Sequence, residues 1–326
     1  MDKVLICSSS FGKFTDIGLG LLKKNNYKII INELGRGFKE DDFFPYIKDI
    51  EGMIVGSMDE VTKKVIEAGK RLKVISVHGK GTDNIDIECA TDHGVYVANA
   101  GKSENNKIAV ADLTFGLILS IARNIPTANE MVKNCVWQRI VGKNVGKKVI
   151  GIIGAGEIGK EVIKRAKGFE MEVLVNDLFE DQYLLKNYKV KYTTLDYLLK
   201  NSDFISINVT LTSDTEKLIS DREFNLMKPG AFLVNTSRGK VIDEKALYNA
   251  LKENKIAGAA IDVYNAEPIK ATDPLLKLDN IITTPHYGLH TIESLEEVDY
   301  ISAKNVVDAL RGEKLINALN DPISID

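Results

Sequence analysis

The sequence predicts an α/β protein with two doubly wound parallel sheets, one in each of two domains. Short apolar β-type runs recur along the 326 residues, and amphipathic helical stretches or loops separate most of them. A polar stretch at 99–107, rich in Asn, Lys and Gly, divides the runs into two series. Apolar strands that alternate with helices are typical of parallel sheets covered on both faces. A chain of this length also favours two domains over one core.

The individual elements follow from local pattern. The first series of strand-like runs is KVLICS (3–8), KIIIN (28–32), GMIVG (52–56), KVISV (73–77) and GVYVA (94–98). The second is KVIGIIG (148–154), MEVLVND (171–177), DFISINV (203–209), AFLVN (231–235), IAGAAID (256–262) and NIITT (280–284). Apolar spacing predicts helices at 156–169 and 243–254, and a final helix at about 292–311 that ends at Gly312.

Composition excludes several classes of partner. With 44% hydrophobic residues, 27% charged residues and a net charge of -3, the chain has no excess of positive charge that would favour nucleic acid or a membrane surface. Three scattered cysteines predict neither a disulfide framework nor a metal site. The stretch 110–122 is too short for a membrane span and carries Asp112, so it is predicted to be a buried helix. Because the N-terminal residues lack the pattern of a signal peptide, we expect a cytoplasmic protein.

Residues 148–177 predict a dinucleotide site. Gly154, Gly156 and Gly159 form a GxGxxG motif directly after a strand and at the start of a helix. These glycines allow a tight turn, approach of the backbone to a pyrophosphate and packing of helix on strand, and the helix N-terminus favours the phosphate charge. Asp177 ends the next strand, where a carboxylate accepts hydrogen bonds from ribose hydroxyls and repels a 2′-phosphate. The pattern therefore predicts NAD as the cofactor.

Three later segments each follow a strand and carry reactive side chains. NTSRG places Arg238 there, DVYNAEP offers Asp262 and Glu267, and TPHYG offers His286. Because ligands bind outside the carboxyl ends of parallel strands, these groups are expected at the edge where the dinucleotide binds. His286 is suited to donate a proton to a developing alkoxide, and Glu267 to orient its imidazole. Arg238 is suited to hold a carboxylate and the reacting oxygen.

At this point the sequence resembles the D-isomer-specific 2-hydroxyacid dehydrogenases. The matching stretches are HGKGTDNID, VADLTFGLILSIAR, GIIGAGEIG, NVTLTSDT, LVNTSRGKVID, IDVYNAEP and TPHYG. The resemblance implies a Rossmann NAD-binding domain at 104–288, inserted in a flavodoxin-like substrate domain formed by 1–103 and 289–326. It also implies a homodimer, with a dimerisation arm at about 109–145.

The same resemblance implies roles for individual residues. Arg238, Glu267 and His286 would be the catalytic trio. The NAD contacts would be Gly154, Gly156, Glu157, Ile158, Gly159, Asp177, Thr210, Thr215, Thr236, Arg238, Asp262, His286 and Gly288. A small anionic 2-hydroxy or 2-keto acid would bind to Gly79, Lys80, Gly81 and Arg238. The expected activity is NAD-dependent interconversion of a D-2-hydroxy acid and its 2-keto acid, of phosphoglycerate or hydroxypyruvate/glyoxylate type.

Two alternatives remain open at the level of the sequence. Lys80 stands where the family commonly has an apolar residue, and phosphite dehydrogenases resemble this chain in having Lys there. If its ammonium binds an anionic group of the substrate, Lys102 or Lys107 would be candidates to assist it. The second alternative is a non-enzymatic, NAD-sensing corepressor-like protein, since such relatives keep the same catalytic trio. A screen for turnover would distinguish an enzyme from a non-enzymatic binding protein.

Overall fold

A computed structural model of the protein describes residues 1–322. Its strands are β1 (Lys3–Ile6), β2 (Lys28–Ile31), β3 (Gly52–Val55), β4 (Val74–Val77), β5 (Tyr96–Asn99), β6 (Val149–Ile153), β7 (Glu172–Asn176), β8 (Lys191–Tyr192), β9 (Phe204–Ile207), β10 (Phe232–Asn235), β11 (Gly258–Ile261) and β12 (Ile281–Thr283). Its α-helices are α1 (Ile17–Lys24), α2 (Glu40–Phe43), α3 (Lys63–Ala68), α4 (Ile87–Asp92), α5 (Glu104–Arg123), α6 (Ile125–Lys133), α7 (Glu157–Gly168), α8 (Gln182–Tyr188), α9 (Leu195–Asn201), α10 (Asp221–Leu226), α11 (Glu244–Lys252) and α12 (Ile292–Arg311).

The chain forms two compact units, and the first contains 1–106 and the residues from 289 onward. Its sheet has five parallel strands in the order β2-β1-β3-β4-β5. Successive side chains of β1 enter different cores, since Leu5 packs with helices α2, α3 and α4 whereas Ile6 packs with α1 and α12. Because side chains alternate between the faces of a sheet, burial of both faces requires a continuous apolar run such as VLI.

The second unit contains residues 107–288. Its seven parallel strands have the order β12-β11-β10-β9-β6-β7-β8. Helices α5, α7 and α8 cover one face, with buried residues such as Phe115 and Val162. Helices α9, α10 and α11 cover the other, with buried residues such as Leu198 and Leu247. The two parallel sheets confirm the predicted fold class.

The two units divide after Asn106, a little later than the boundary expected after residue 103. The first turn of α5 stays with the first unit because Glu297 of α12 accepts hydrogen bonds from Ser103 Oγ at 2.9 Å and from the backbone N–H groups of Glu104 and Asn105 at 3.1 and 2.9 Å. The helix expected at 110–122 is the buried part of the longer helix α5. Strand β8 is only two residues long and was not predicted.

Among residues 1–322, no single helix is long and apolar enough to cross a membrane. Helices α5 and α6 meet that requirement only when they are taken together, and a bend of 63° separates them.

Candidate active site

The order of the strands in the second unit brings the predicted catalytic and cofactor residues to one edge of its sheet. Gly154 follows β6, Asp177 follows β7, Thr236 and Arg238 follow β10, and His286 lies just beyond β12. All these strands are parallel, so their carboxyl ends share that edge. Strand β6 has β7 on one side and β9 on the other, and this reversal of strand order is where open α/β sheets bind ligands.

The glycine-rich turn between β6 and α7 has the backbone that its motif predicts. Gly154 has a φ of 89°, a conformation that favours glycine, and a Cβ at this position would lie only 2.8 Å from Val209 Cγ1. A Cβ at Gly159 would clash with the carbonyl oxygen of Gly154, so the third glycine allows helix and strand to pack. A Cβ at Gly156 would meet nothing within 4 Å, so packing within the chain does not require this glycine.

Asp177 lies at the end of β7 and is exposed. Its Oδ2 accepts a hydrogen bond from the backbone N–H of Ala155 at 2.6 Å, and its Oδ1 accepts one from Phe179 N at 3.2 Å. The carboxylate thus lies against the glycine-rich turn. Because each carboxylate oxygen can accept two hydrogen bonds, Asp177 retains acceptor capacity for ribose hydroxyls.

The other predicted cofactor residues differ in how far their side chains are already engaged. Glu157, at the start of α7, forms an ion pair with Lys107 at 3.2 Å, and Ile158 packs against the core of the unit. The hydroxyl of Thr215 donates to the carbonyl of Thr210 at 2.6 Å, so this side chain shapes its own loop. The hydroxyl of Thr236 lies 2.9 Å from that of Thr114 on α5.

Glu267 and His286 form a close polar pair at the edge. Nδ1 of His286 lies 2.6 Å from Oε2 of Glu267, and because a carboxylate can only accept, Nδ1 is the donor. The other carboxylate oxygen accepts a hydrogen bond from Tyr264 N at 3.0 Å. Both side chains are partly buried, with 25% of His286 and 18% of Glu267 exposed. This arrangement leaves Nε2 of His286 as the ring nitrogen able to exchange a proton with a substrate.

The backbone of His286 is held in a conformation that side chains rarely adopt. Its φ is 49°, in the left-handed region, and its N–H donates to Thr284 O at 3.1 Å. The carboxylate of buried Asp262 fixes the residues on both sides: Oδ1 accepts from Thr284 Oγ1 at 2.6 Å and from Tyr287 N at 3.1 Å, and Oδ2 accepts from Gly288 N at 3.0 Å. Burial raises the pKa of Asp262, and these hydrogen bonds oppose that rise. Asp262 therefore positions the histidine loop, a role that the sequence did not reveal.

Arg238 is half-buried just after β10. Its Nη1 donates to the carbonyl oxygen of Ser237 at 2.8 Å. The turn that presents Arg238 is tied by the buried side chain of Asn235, whose Nδ2 donates to Arg238 O at 2.9 Å. Its Oδ1 accepts from the backbone N–H and the hydroxyl of Ser237 at 3.0 and 2.8 Å. Asn235 therefore determines how the turn presents the guanidinium.

The predicted substrate loop belongs to the first unit and directly follows β4. Gly79 has a φ of 145°, outside the range of most side chains, and its carbonyl accepts a hydrogen bond from Ala100 N at 2.8 Å. The carbonyl of Lys80 accepts one from Asn99 Nδ2 at 2.6 Å. Within the described chain, the backbone N–H groups of Lys80 and Gly81 donate to no protein acceptor. The loop therefore uses its carbonyls for anchorage and leaves two donors for a ligand.

His78, the residue before Gly79, anchors the start of this loop. Its Nε2 lies 2.6 Å from Oδ1 of Asp299 on α12, and its Nδ1 lies 3.2 Å from Ser8 Oγ and 3.3 Å from Ser10 Oγ. Only 1% of the histidine side chain is exposed, and none of the aspartate's. This buried network fixes the residue immediately before Gly79.

Lys102 and Lys107, suggested from the sequence as residues that could assist Lys80, both have other partners in the structure. Nζ of Lys102 donates to the carbonyl of Ile316 at 2.8 Å, and Lys107 belongs to the second unit, where it pairs with Glu157. Both ammonium groups are thus held by other partners. The side chain of Lys80 is exposed and forms no ion pair within residues 1–322.

Comparison with known proteins agrees with this geometry. Residues 115–288 match the family model described as D-isomer specific 2-hydroxyacid dehydrogenase, NAD binding domain. The chain belongs to this family. The match also confirms NAD as the cofactor of this domain, and the open space at Gly156 and the carboxylate of Asp177 suit a pyrophosphate and a ribose.

Relatives support membership over the whole chain. A D-3-phosphoglycerate dehydrogenase of Methanocaldococcus jannaschii is 42% identical over 293 residues, which are 89% of this chain and 55% of that protein. This chain thus spans little more than half the length of that relative. A Staphylococcus aureus protein named as a 2-hydroxyacid dehydrogenase is 39% identical over 320 residues, covering 96% of this chain and 98% of its own.

A solved structure of a dehydrogenase has the same fold. The D-lactate dehydrogenase of Aquifex aeolicus, complexed with NAD and lactic acid, superposes with a TM-score of 0.86 at 29% identity, over 99% of this chain and 100% of that one. The family assignment made from the motifs is therefore confirmed, both by the central domain and by a relative that covers 96% of the chain.

Proposed function

We propose that this protein is an NAD-dependent oxidoreductase that interconverts a D-2-hydroxy acid and its 2-keto acid. The observation that carries the proposal is the 2.6 Å pairing of Glu267 with Nδ1 of His286, at the sheet edge that also bears Arg238 and the glycine-rich turn. An imidazole oriented by a carboxylate is suited to general acid–base catalysis. The relatives are named as dehydrogenases, and these names support the same chemistry.

In the direction of reduction, His286 is the proton donor. When bound, NADH supplies the hydride that reduces the carbonyl carbon. Nε2 of protonated His286 donates its proton to the developing alkoxide oxygen, which becomes the hydroxyl of the product. Glu267 holds Nδ1 and stabilises the imidazolium before the transfer. In the direction of oxidation, neutral His286 accepts the hydroxyl proton.

Arg238 and the loop at Gly79–Gly81 are proposed to bind the substrate. The planar guanidinium of Arg238 presents several donors that suit a carboxylate and the reacting oxygen. The backbone N–H groups of Lys80 and Gly81 are proposed to bind the substrate carboxylate, which accounts for a loop whose carbonyls are engaged elsewhere.

The proposal also includes the roles of the two units, a dimeric assembly and a cellular location. We assign substrate binding to the first unit and NAD binding to the second, with the dimerisation arm at about 109–145. Exposed apolar side chains in that arm support a homodimer, since Trp137 is 89% and Val141 92% exposed. We also propose a cytoplasmic location, a reducing environment in which cysteines stay unpaired, as the three cysteines are here.

The substrate is proposed to be of phosphoglycerate or hydroxypyruvate/glyoxylate type. A screen of pyruvate, glyoxylate, hydroxypyruvate and 3-phosphohydroxypyruvate, followed by NADH absorbance, tests the activity. Phosphite with NAD belongs on the same screen, because Lys80 favours an anionic substrate group. We expect turnover with at least one 2-keto acid. NAD binding without turnover on any of them would contradict the proposal and favour the corepressor-like alternative.

A further inference from the structure

A cluster of three potential metal ligands lies in the first unit, in residues that the proposed reaction does not use. We call Glu67, Cys89 and His93 the Cys–His–Glu cluster. One ligand atom from each side chain lies within 4.8 Å of the other two. Cys89 is on α4 and His93 caps its end, four residues later, whereas Glu67 is on α3. Spacing along the chain predicts no metal site because the third ligand comes from another helix.

The cysteine and histidine have the separation that a tetrahedral metal requires. Residues four apart on a helix lie on the same face, and here Cys89 Sγ is 3.6 Å from His93 Nδ1. Zinc bound to sulfur at about 2.3 Å and to nitrogen at about 2.0–2.1 Å in a tetrahedral site holds the two donor atoms about 3.6 Å apart. Only a small movement is therefore needed to bring both donors onto one ion.

The present partners of the three side chains can be replaced. Nδ1 of His93 lies 2.8 Å from the carbonyl oxygen of Cys89, but that oxygen also accepts the backbone N–H of His93 at 3.2 Å and keeps a partner if the ring turns to a metal. Glu67 forms only a loose ion pair with Lys63, at 3.8 Å, and its side chain is 44% exposed. An ion can thus reach the cluster from solvent.

The surroundings favour a cation. The carboxylates of Asp86, Glu67 and Asp92 act on Cys89 from nearby, against the ammonium of Lys63. Burial is the main cause of a raised pKa of the Cys89 thiol, and these carboxylates add to it. A divalent ion would reverse this balance by pairing with the thiolate.

We propose that the Cys–His–Glu cluster binds one thiophilic divalent cation of the zinc class. Cys89 Sγ, an imidazole nitrogen of His93 and a carboxylate oxygen of Glu67 supply three ligands, and water supplies the fourth. On binding, a metal–sulfur bond forms and the thiol proton passes to solvent. The mixture of sulfur, nitrogen and one carboxylate favours zinc, cobalt or cadmium over magnesium or calcium, which prefer oxygen ligands. The ion would tie α3 to α4.

Cobalt(II) titration of the chelator-treated protein tests this site. We expect the wild type to bind one equivalent of Co²⁺ and to show a near-ultraviolet band from thiolate-to-cobalt charge transfer. Zinc should abolish the band by competition and should raise the Tm, since a ligand that binds the folded state stabilises it. Magnesium should do neither.

Variants identify the ligands. Cys89→Ser should lose the band, and His93→Asn and Glu67→Gln should each weaken Co²⁺ binding by tenfold or more. Cys135→Ser is the matched control, because Cys135 is an exposed free thiol elsewhere in the chain, and it should keep the band. Thermal unfolding without metal checks that each variant is folded. The proposal is overturned if the band persists in Cys89→Ser, if it is lost in Cys135→Ser, or if the wild type binds no Co²⁺ at concentrations up to about 100 μM.

Discussion

His286 combines a reactive side chain with an unfavourable backbone. A non-glycine residue in the left-handed region costs on the order of 1 kcal/mol, and the structure holds His286 there with a φ of 49°. Hydrogen bonds from Thr284, Tyr287 and Gly288 to the carboxylate of Asp262 fix the loop around it. Strain that is held in this way by its surroundings is typical of functional sites, and here it aims the imidazole at Glu267.

Tyr264 is a second positioning residue for the same loop. Its hydroxyl donates at 2.8 Å to the carbonyl of Thr284, which also accepts the N–H of His286. Burial raises the pKa of Tyr264 to about 12, so the hydroxyl remains a donor at neutral pH. We predict that Tyr264→Phe lowers kcat about five- to tenfold, the effect of about 1 kcal/mol from one hydrogen bond, while KM for NADH stays unchanged.

Steady-state kinetics with both substrates varied checks this prediction. Tyr248→Phe, on α11, serves as the control and should retain its kcat. A Tyr264→Phe variant with unchanged kcat would show that the hydroxyl does not position His286.

A substitution of Lys80 would show which anion the substrate loop binds. If its ammonium pairs with a phosphate or similar group on the substrate, Lys80→Val removes a charge-assisted hydrogen bond of roughly 1.5–3 kcal/mol. KM for the true substrate should then rise about tenfold or more, with little change for NADH. The measurement compares 3-phosphohydroxypyruvate with hydroxypyruvate in the same variant. An equal effect on both substrates, or none, would exclude a contact between Lys80 and the phosphate.

At the scale of residues, those that belong to a recognisable motif could be predicted from the sequence. Residues that act only through hydrogen bonds to the backbone could not. The glycines of the turn and the Glu267–His286 pair follow from chemistry that few other residue types perform. Tyr264 acts on the backbone carbonyl of Thr284 in a distant segment, so no local pattern marks it. Asn235 acts within its own turn, on Ser237 and Arg238, and its hydrogen bonds are visible only in the structure. For Asp262 the sequence indicated the place, but only the structure shows its hydrogen bonds to the loop.

At the scale of elements, α12 caps the first turn of α5. Glu297 accepts hydrogen bonds from Ser103 and from the N–H groups of Glu104 and Asn105, donors that a helix N-terminus leaves without partners in its own backbone. Partial burial alone would raise the pKa of Glu297, but the hydrogen bonds from Asn105, Ser103 and Glu104 outweigh it and lower the pKa below 4.5.

This cap predicts a pH-dependent contribution to stability. A depressed pKa in the folded state means that the contribution is fully present above the unfolded value, near 4.5, and is lost as the pH falls through the folded value. We predict that Glu297→Gln lowers the free energy of unfolding by about 1 kcal/mol at pH 7, and that the difference from the wild type shrinks below pH 4.5.

Urea unfolding at several pH values measures this effect. The control is Glu296→Gln, which removes the charge of the neighbouring exposed glutamate and should leave stability unchanged. An equal loss at pH 7 and at pH 3 would indicate a packing defect instead of a lost cap.

Elements were predictable where the apolar pattern is long. Helices α7, α11 and α12 lie within one or two residues of their expected positions because caps or glycine mark their ends. The start of α5 was missed because ENNK is polar and its cap comes from Glu297, far away in the sequence. Strand β8 is too short to show any periodicity.

At the scale of the molecule, sheet order determines which residues meet. Strands β6, β9, β10, β11 and β12 are neighbours in one parallel sheet, so segments more than a hundred residues apart in sequence deliver the turn, Arg238, Asp262 and His286 to the same edge. Alternation of strands and helices predicts parallel sheets but not their order. The family resemblance predicted which residues form the site at this edge. The match over residues 115–288 confirms the family.

The central claim is that His286, held by Glu267, donates the proton during reduction. The most direct test is single-turnover and steady-state reduction of the best 2-keto acid by His286→Asn, because Asn tolerates the left-handed backbone better than Ala. We predict that kcat falls at least about a hundredfold, while the Kd for NADH, measured by fluorescence, stays within about twofold. A His286→Asn variant that keeps most of the wild-type kcat would contradict the account.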